Sequence, residues 1–196
     1  GTTKINYQGT VIDLKKPWKK ITMIDAIAKY ANIDVKKLND IQIKEILKKH
    51  NIELKAEFVR GLAIATIFEE LVQPKLIQPT FILDHPKETT PLCKIKRGNK
   101  DLIERFEPVI NGWEVGNAYS ELNDPRIQKK LLEEQAKSLR AGNYQAHPMD
   151  EDFIKSLEYA MPSTGGLGIG VDRMIMLLTN SQSIRDVLLF PFMKKT

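Results

Sequence analysis

The sequence predicts an α+β domain whose sheet is largely antiparallel and flanked by helices, and three observations carry that prediction. Strand-like and helix-like segments come in separate groups rather than as repeated strand–helix–strand units, the pattern of α+β proteins. Asn111-Gly112 lies between two β-rich runs, the strongest short-range hairpin signal a sequence offers. At 196 residues, 42% hydrophobic and 28% charged, the chain is one ordinary globular domain with enough surface to bury a core.

The elements follow in order. Residues 3–7 and 10–14 read as short strands around Gln8-Gly9, a hairpin at a sheet edge, followed by a basic stretch over 15–20. Thr22 caps a helix carrying Ile24, Ile27 and Tyr30, and Asp40 caps one carrying Ile43, Ile46 and Leu47. Ile64, Ile67, Phe68 and Leu71 recur with helical spacing, and Pro74 closes that third helix. Residues 76–83 are β-rich but interrupted at Pro79, an extended segment bordering a site, and 94–100 predict a flexible polar link. The runs 102–110 and 113–122 form the Asn-Gly hairpin. Asp124-Pro125 opens a helix to about Ala141, with Gly142 just past its end. Asp150 opens another, with Phe153, Leu157 and Ala160 on one face and Pro162 as its stop. A glycine-rich strand over 165–170 runs directly into a helix over 171–179, and residues 184–190 end at Pro191.

Several function classes fall away. The longest apolar runs, 174–178 and 187–190, are far shorter than the ~20 residues of a membrane span, and no basic-then-apolar leader opens the chain, so a soluble protein is expected. A single cysteine, Cys93, excludes an internal disulfide, and with three scattered histidines it builds no closed zinc site; a reducing, cytosolic setting is expected. The formal charge of +5 allows a polyanionic partner, although 25 acidic residues are interspersed with 30 basic ones. His50, His85 and His147 read as surface residues, and the lysine pairs as solvated faces. No G-x-S-x-G or Cys/His signature supplies a side-chain nucleophile for hydrolysis.

The chemistry-bearing residues cluster in the second half. With a two-residue loop at Asn111-Gly112, Val109 faces Glu114 and Glu107 faces Gly116, so Glu107 and Glu114 become diagonal neighbours roughly 7–8 Å apart on one face. Carboxylates at that spacing either share a cation, for which Mg²⁺ is the natural candidate, or stand solvated on an exposed face. Asn117, Tyr119 and Glu121 share one parity and Glu114 has the other. Gly116 between them marks a bulge that brings both sets to one face, through its freedom to take positive φ; the plain alternative is an amphipathic strand with a wet face. Gly166, Gly168 and Gly170 strip side chains from one strand face, so that a flat ligand could lie against backbone. The segment is neither G-x-G-x-x-G nor a P-loop. Arg173 falls among Val171, Met174, Ile175 and Leu178, where a buried guanidinium requires an anion: a ligand phosphate, or Asp172, Asp186 or a glutamate.

Three segments together, Leu76-Ile77-Gln78-Pro79-Thr80-Phe81, Glu114-Val115-Gly116-Asn117-Ala118-Tyr119-Ser120-Glu121-Leu122-Asn123-Asp124 and the Gly166–Arg173 block, resemble the class II lysyl-tRNA synthetases, the last being that class's third signature motif. The resemblance implies that 1–196 is the C-terminal portion of a class II catalytic domain, with a helical region over about 22–74 and sheet and site segments over about 76–196. It implies lysine activation with ATP and lysyl transfer to tRNA(Lys), by a cytoplasmic homodimer without membrane association. Glu107 and Glu114 would hold Mg²⁺ on the ATP phosphates, and Arg173 would be the catalytic arginine neutralising the γ-phosphate or departing pyrophosphate. Gly166, Gly168 and Gly170 would make room for adenosine, Glu121 would take the lysine ε-ammonium, and Asn117 and Tyr119 would fix the rest of the amino acid. The anticodon barrel and the first two motifs have no counterpart here, so the isolated chain is expected to be inactive. The alternatives are a lysine-activating paralogue that modifies a protein, and a non-catalytic fragment or binding module.

Overall fold

Turn chemistry fixes both hairpins. In the computed structural model, which describes residues 1–54, 57–140 and 148–192, strands β1 (Lys4–Tyr7) and β2 (Thr10–Asp13) pair antiparallel. Gln8 and Gly9 take φ of 50° and 84°, the left-handed pair that a two-residue turn demands. This hairpin is not an edge of the main sheet but a separate two-stranded one. Tyr7 and Ile12 bury it against Ile110, Val115 and Leu177, so apolar packing rather than a ladder docks it. The Gln78 amide supplies the ladder's substitute, donating to the Val11 carbonyl at 2.9 Å and accepting from the Asp13 N–H at 3.0 Å.

The main body runs β3 (Lys19–Thr22), α1 (Met23–Ala31), α2 (Asp40–Lys49), α3 (Arg60–Leu71), β4 (Thr80–Pro86), β5 (Leu102–Ile110), β6 (Trp113–Glu114), β7 (Gly116–Ser120), α4 (Pro125–Arg140), α5 (Glu151–Glu158), β8 (Gly165–Ile169) and α6 (Val171–Thr179). The sheet order is β3-β4-β5-β7-β8, with β6 also on β5; only β3–β4 is parallel. The α+β class with a largely antiparallel sheet therefore holds.

Local chemistry explains both the agreements and the shifts. Thr22 caps α1, its side chain accepting from the Asp25 N–H. Asn39, not Asp40, caps α2, because Asn39 and Gln42 satisfy each other's backbone in a capping box, which leaves the Asp40 carboxylate in the first turn beside the positive helix end. Residues 76–77 hold the Asn-Gly turn: Asn111 and Gly112 donate to the Ile77 and Leu76 carbonyls at 2.9 and 3.0 Å. The segment 94–100 is no free link. Lys94 donates to the Ser120 carbonyl and Lys96 to that of Leu102, while Cys93 and Ile95 bridge Glu121 and Ile103. Ladder groups that β5 and β7 leave unpaired at this end find partners there. On α5 the buried residues are Ile154 and Leu157, whereas Phe153 is exposed and Ala160 lies beyond the helix at φ 71°. Ala141, Gly142 and His147 lie outside the described residues.

One sheet face packs Ile82 and Val109 under Ile27, Ile43, Ile64, Ile67 and Phe68 of the three helices. The opposite face receives the β1–β2 hairpin and Leu177 of α6, and carries the aromatic row Trp18–Phe81–Phe106 with centroids 5.3 and 5.6 Å apart. Among the described residues no helix is long and apolar enough to cross a membrane.

Candidate active site

The hairpin register changes partway along. Ile110 lies opposite Trp113 and Val109 opposite Glu114, yet Phe106 lies opposite Ala118 and Arg105 opposite Tyr119. One extra residue has entered the second strand, so Val115 and Gly116 together face Pro108, whose carbonyl accepts from the Val115 N–H at 2.9 Å. Pro108 is suited to this spot: its missing N–H would point to the same side as its carbonyl, where the bulge has already broken the ladder. The consequence is parity. Glu114, Asn117, Tyr119 and Glu121 all join Arg105 and Glu107 on the helix-bearing face of the sheet.

Gly116 does not work as the sequence suggested, because its φ is not among the positive ones. A Cβ there would stand 2.9 Å from the Gly168 carbonyl oxygen and 3.1 Å from Pro108 Cγ. Close approach of β8 and Pro108, not left-handed backbone, demands glycine.

Arg105 organises the polar face. Its guanidinium pairs with the Glu107 carboxylate, its Nε donates to Asn117 Oδ1 at 3.1 Å, and its Cζ lies 5.5 Å from the Tyr119 ring centroid. Asn117 in turn donates from Nδ2 to the Tyr119 hydroxyl at 3.2 Å. Burial pushes the Glu107 carboxyl up to about 7; Arg105 pulls it down, and the charges of Glu114 and Glu69 add to the rise. His85, brought to this face by the β4 irregularity at Asp84 (φ 61°), is buried and not a surface residue. Burial first, and the Arg105 charge second, push it down to about 3. It is neutral near pH 7, so its 3.9 Å approach to Glu107 is no ion pair, and its Nε2 proton faces the Ile82 carbonyl at 3.4 Å. His50 is exposed, as the sequence suggested.

Glu121 stands apart. Its carboxylate lies where a Cβ on Gly166 would be, 1.8 Å from that position, so Gly166 makes room for it. No hydrogen bond or ion pair from a described residue reaches that carboxylate, and burial pushes its pKa up. Its charge, after burial itself, helps push the neighbouring Cys93 thiol up to about 11, leaving that thiol protonated and inert.

The glycine face and the arginine form the other end. Gly168 lies opposite Asn117 and Gly166 opposite Tyr119, so β8 offers bare backbone to the polar face. A Cβ at Gly168 or Gly170 would meet nothing nearer than 3.8 or 3.6 Å. Arg173 is exposed rather than buried in an apolar stripe, since α6 buries Met176 and Leu177 while Val171 and Leu178 face out. Its guanidinium bonds the Glu114 backbone carbonyl, not a carboxylate. An open cleft of about 310 Å³ joins Glu114, Asn117, Gly168, Gly170 and Arg173. Glu107 lines a different cavity of about 370 Å³, with His85 and Arg105 under α3.

Sequence reasoning missed Arg105 and His85. Arg105 shares the parity of Glu107 two residues away, and only the shifted register sets it opposite Tyr119. It was one of seven arginines, and the signal was its place inside a β run between Ile103 and Glu107.

Sequence comparison adds an independent line. The family of class II tRNA synthetases (D, K and N) matches residues 2–194. The chain is 52% identical over 200 residues to a lysine–tRNA ligase of Clostridium novyi, 55% over 195 residues to one of Thermoanaerobacter pseudethanolicus, and 51% over 198 residues to one of Clostridium botulinum. These matches cover 99–100% of this chain and 39% of each relative, so the chain spans about two fifths of their length.

Proposed function

The chain belongs to the class II tRNA synthetases (D, K and N), and from that membership we propose that it forms the lysine-recognising part of an enzyme that activates lysine with ATP and transfers it to tRNA(Lys). The observation that carries this reading is Glu121: a half-buried carboxylate, given room by Gly166, to which no described residue offers a cation. The ε-ammonium of lysine would supply the missing charge. An uncharged side chain would leave the carboxylate unpaired, the situation in which a built polar site discriminates most strongly.

The other residues have roles in positioning and charge. The cleft between Glu114, the bare backbone of Gly168 and Gly170, and the exposed Arg173 suits a nucleotide: flat against backbone, with its phosphates toward the guanidinium and the first turn of α6. Glu107 and Glu114, on one face of the sheet, are the carboxylates that would hold a divalent cation, with Glu107 already engaged by Arg105. Mg²⁺ held by both, with substrate phosphates and water completing its shell, would offset charge on the ATP phosphates. This chain's own residues then hold the lysine carboxylate near the α-phosphate for in-line attack, so catalysis is orientation and charge stabilisation rather than covalent chemistry. A homodimer in the cytoplasm completes the reading.

The test is lysine-dependent ATP–pyrophosphate exchange by the complete gene product that carries these residues. Exchange is expected there and not with the 196 residues alone. Glu121→Gln should lower kcat/KM for lysine by about 10³-fold, the size of an unpaired buried charge, with the ATP KM within about twofold. Lysine kinetics untouched by Glu121→Gln would sink the assignment.

A further inference from the structure

We propose that Arg105 is a positioning residue for amino-acid recognition: its guanidinium sets the orientation of the Asn117 amide and the Tyr119 ring. The proposal rests on the lysine reading of the site and deepens it. Arg105 has only donors, so the Asn117 oxygen must face it, at 3.1 Å from Nε. The Asn117 nitrogen is thereby turned outward, one of its protons engaged by the Tyr119 hydroxyl at 3.2 Å. That hydroxyl accepts from Asn117 and so keeps its own proton to donate. Asn117 thus presents a donor to the cleft and Tyr119 keeps one beside Asn117, and the chemistry that matches them is a substrate oxygen: a carboxylate, or an oxygen of the phosphoryl group whose phosphorus it attacks. Glu121 on the same face is left as the acceptor for the cationic end.

The fork geometry is what makes arginine specific here. Two separate nitrogens serve Glu107 and Asn117, while Cζ stands within cation–π reach of the ring of its cross-strand partner Tyr119. The side chain is 13% exposed and is anchored by Glu107 at 9%, so the assembly is held before substrate arrives. A lysine at 105 would keep the charge beside Glu107, yet its single ammonium could not serve both partners from one place.

The experiment measures lysine binding by equilibrium dialysis with labelled lysine, and lysine KM against kcat in pyrophosphate exchange, for the complete gene product. Arg105→Lys is expected to keep the wild-type thermal midpoint within a few degrees and still weaken lysine binding about tenfold, with the loss in KM rather than kcat. Arg105→Met is expected to weaken binding more. Asn117→Asp, which keeps an acceptor toward Arg105 but removes the outward donor, is expected to match Arg105→Lys. Wild-type binding with both Arg105 variants within twofold of it would overturn this proposal alone. Absence of lysine binding by the wild type would overturn the reading of the site and this proposal with it.

Discussion

Two halves of one sheet face meet opposite demands within a few residues. Under the helices, Ile82 and Val109 are 0% exposed and belong to the apolar cluster that the three helices cover. One step along β5, Glu107 is 7% exposed, and His85 on β4 is 1% exposed. The apolar half needs nothing but shape, since burying an isoleucine is worth about 1.5–3 kcal/mol wherever it fits. The polar half persists because each group has a defined answer: Glu107 has Arg105, Asn117 has Tyr119, and His85 gives up its charge. The lesson is that the shared backbone does not decide what a sheet face does. A one-residue bulge that brings six polar side chains to the same side decides it.

The largest effect is expected where volume is removed from the apolar half. Ile82→Ala should destabilise the chain by about 3 kcal/mol, through lost burial and the cavity left behind, measured by urea unfolding. Lysine binding by the complete gene product should stay within about twofold, because the Ile82 side chain packs into the apolar cluster and Ile82 meets His85 through its backbone carbonyl, which the substitution keeps. A cost under about 1 kcal/mol would mean that the helices and sheet do not share one close-packed core.

These halves were not equally legible in the sequence. The apolar one follows from periodicity: Ile64, Ile67 and Phe68 on one helix stripe and Ile82 in a β run lead to the core that the structure contains. The caps follow from local chemistry, with a one-residue slip at Asn39 because two adjacent residues could each cap. In the polar half the Asn-Gly turn, the pairing of Val109 with Glu114 and of Ile110 with Trp113, and a bulge at Gly116 were readable, whereas Gly116 faces Pro108 and not Glu107 as the unbroken register implied. Why the bulge needs glycine was not, because close approach to Gly168 and Pro108 depends on strands fifty residues apart. Nor was the docking of residues 93–96 between β5 and β7, or the burial of His85, which a shift of register at Asp84 alone brings about. Long-range packing decides these, and no local pattern records it.

The two titratable groups of the polar half give it a pH dependence that the apolar half lacks. Glu107 is raised from 4.5 to about 7, so the folded chain binds its proton more tightly. Its contribution to stability, roughly 3 kcal/mol from that span, is fully present below about 4.5 and is lost as pH rises through 7. His85 is lowered from 6.5 to about 3, so its contribution is present above 6.5 and is lost as pH falls toward 3. Between pH 4.5 and 6.5 the slopes oppose, and the wild type should be flatter than either single variant. Glu107→Gln should become less stable as the solution is acidified below 6.5, and His85→Asn more stable between 7 and 4.5, by urea titration at each pH. Parallel curves for all three chains would show that neither group titrates within the fold.

The smallest effect separates two explanations of Gly116. If glycine were needed for left-handed backbone, asparagine would replace it better than alanine, because asparagine visits positive φ more readily. The structure instead gives Gly116 an ordinary φ and places the Gly168 carbonyl oxygen 2.9 Å from where a Cβ would be. Backbone cannot step aside as a flexible side chain does, so β8 must move away from β7 to admit even a methyl group. Gly116→Ala should therefore cost about 1–2 kcal/mol, the price of modest overpacking less a few tenths regained from the stiffer unfolded chain. Gly116→Asn should cost more, since size and not φ is limiting. Because Gly168 faces Asn117 across the same ladder, both variants should also weaken lysine binding, in the same rank order. Asparagine tolerated better than alanine would return the bulge to a backbone explanation and would leave the close packing of β7 on β8 without a role in the site.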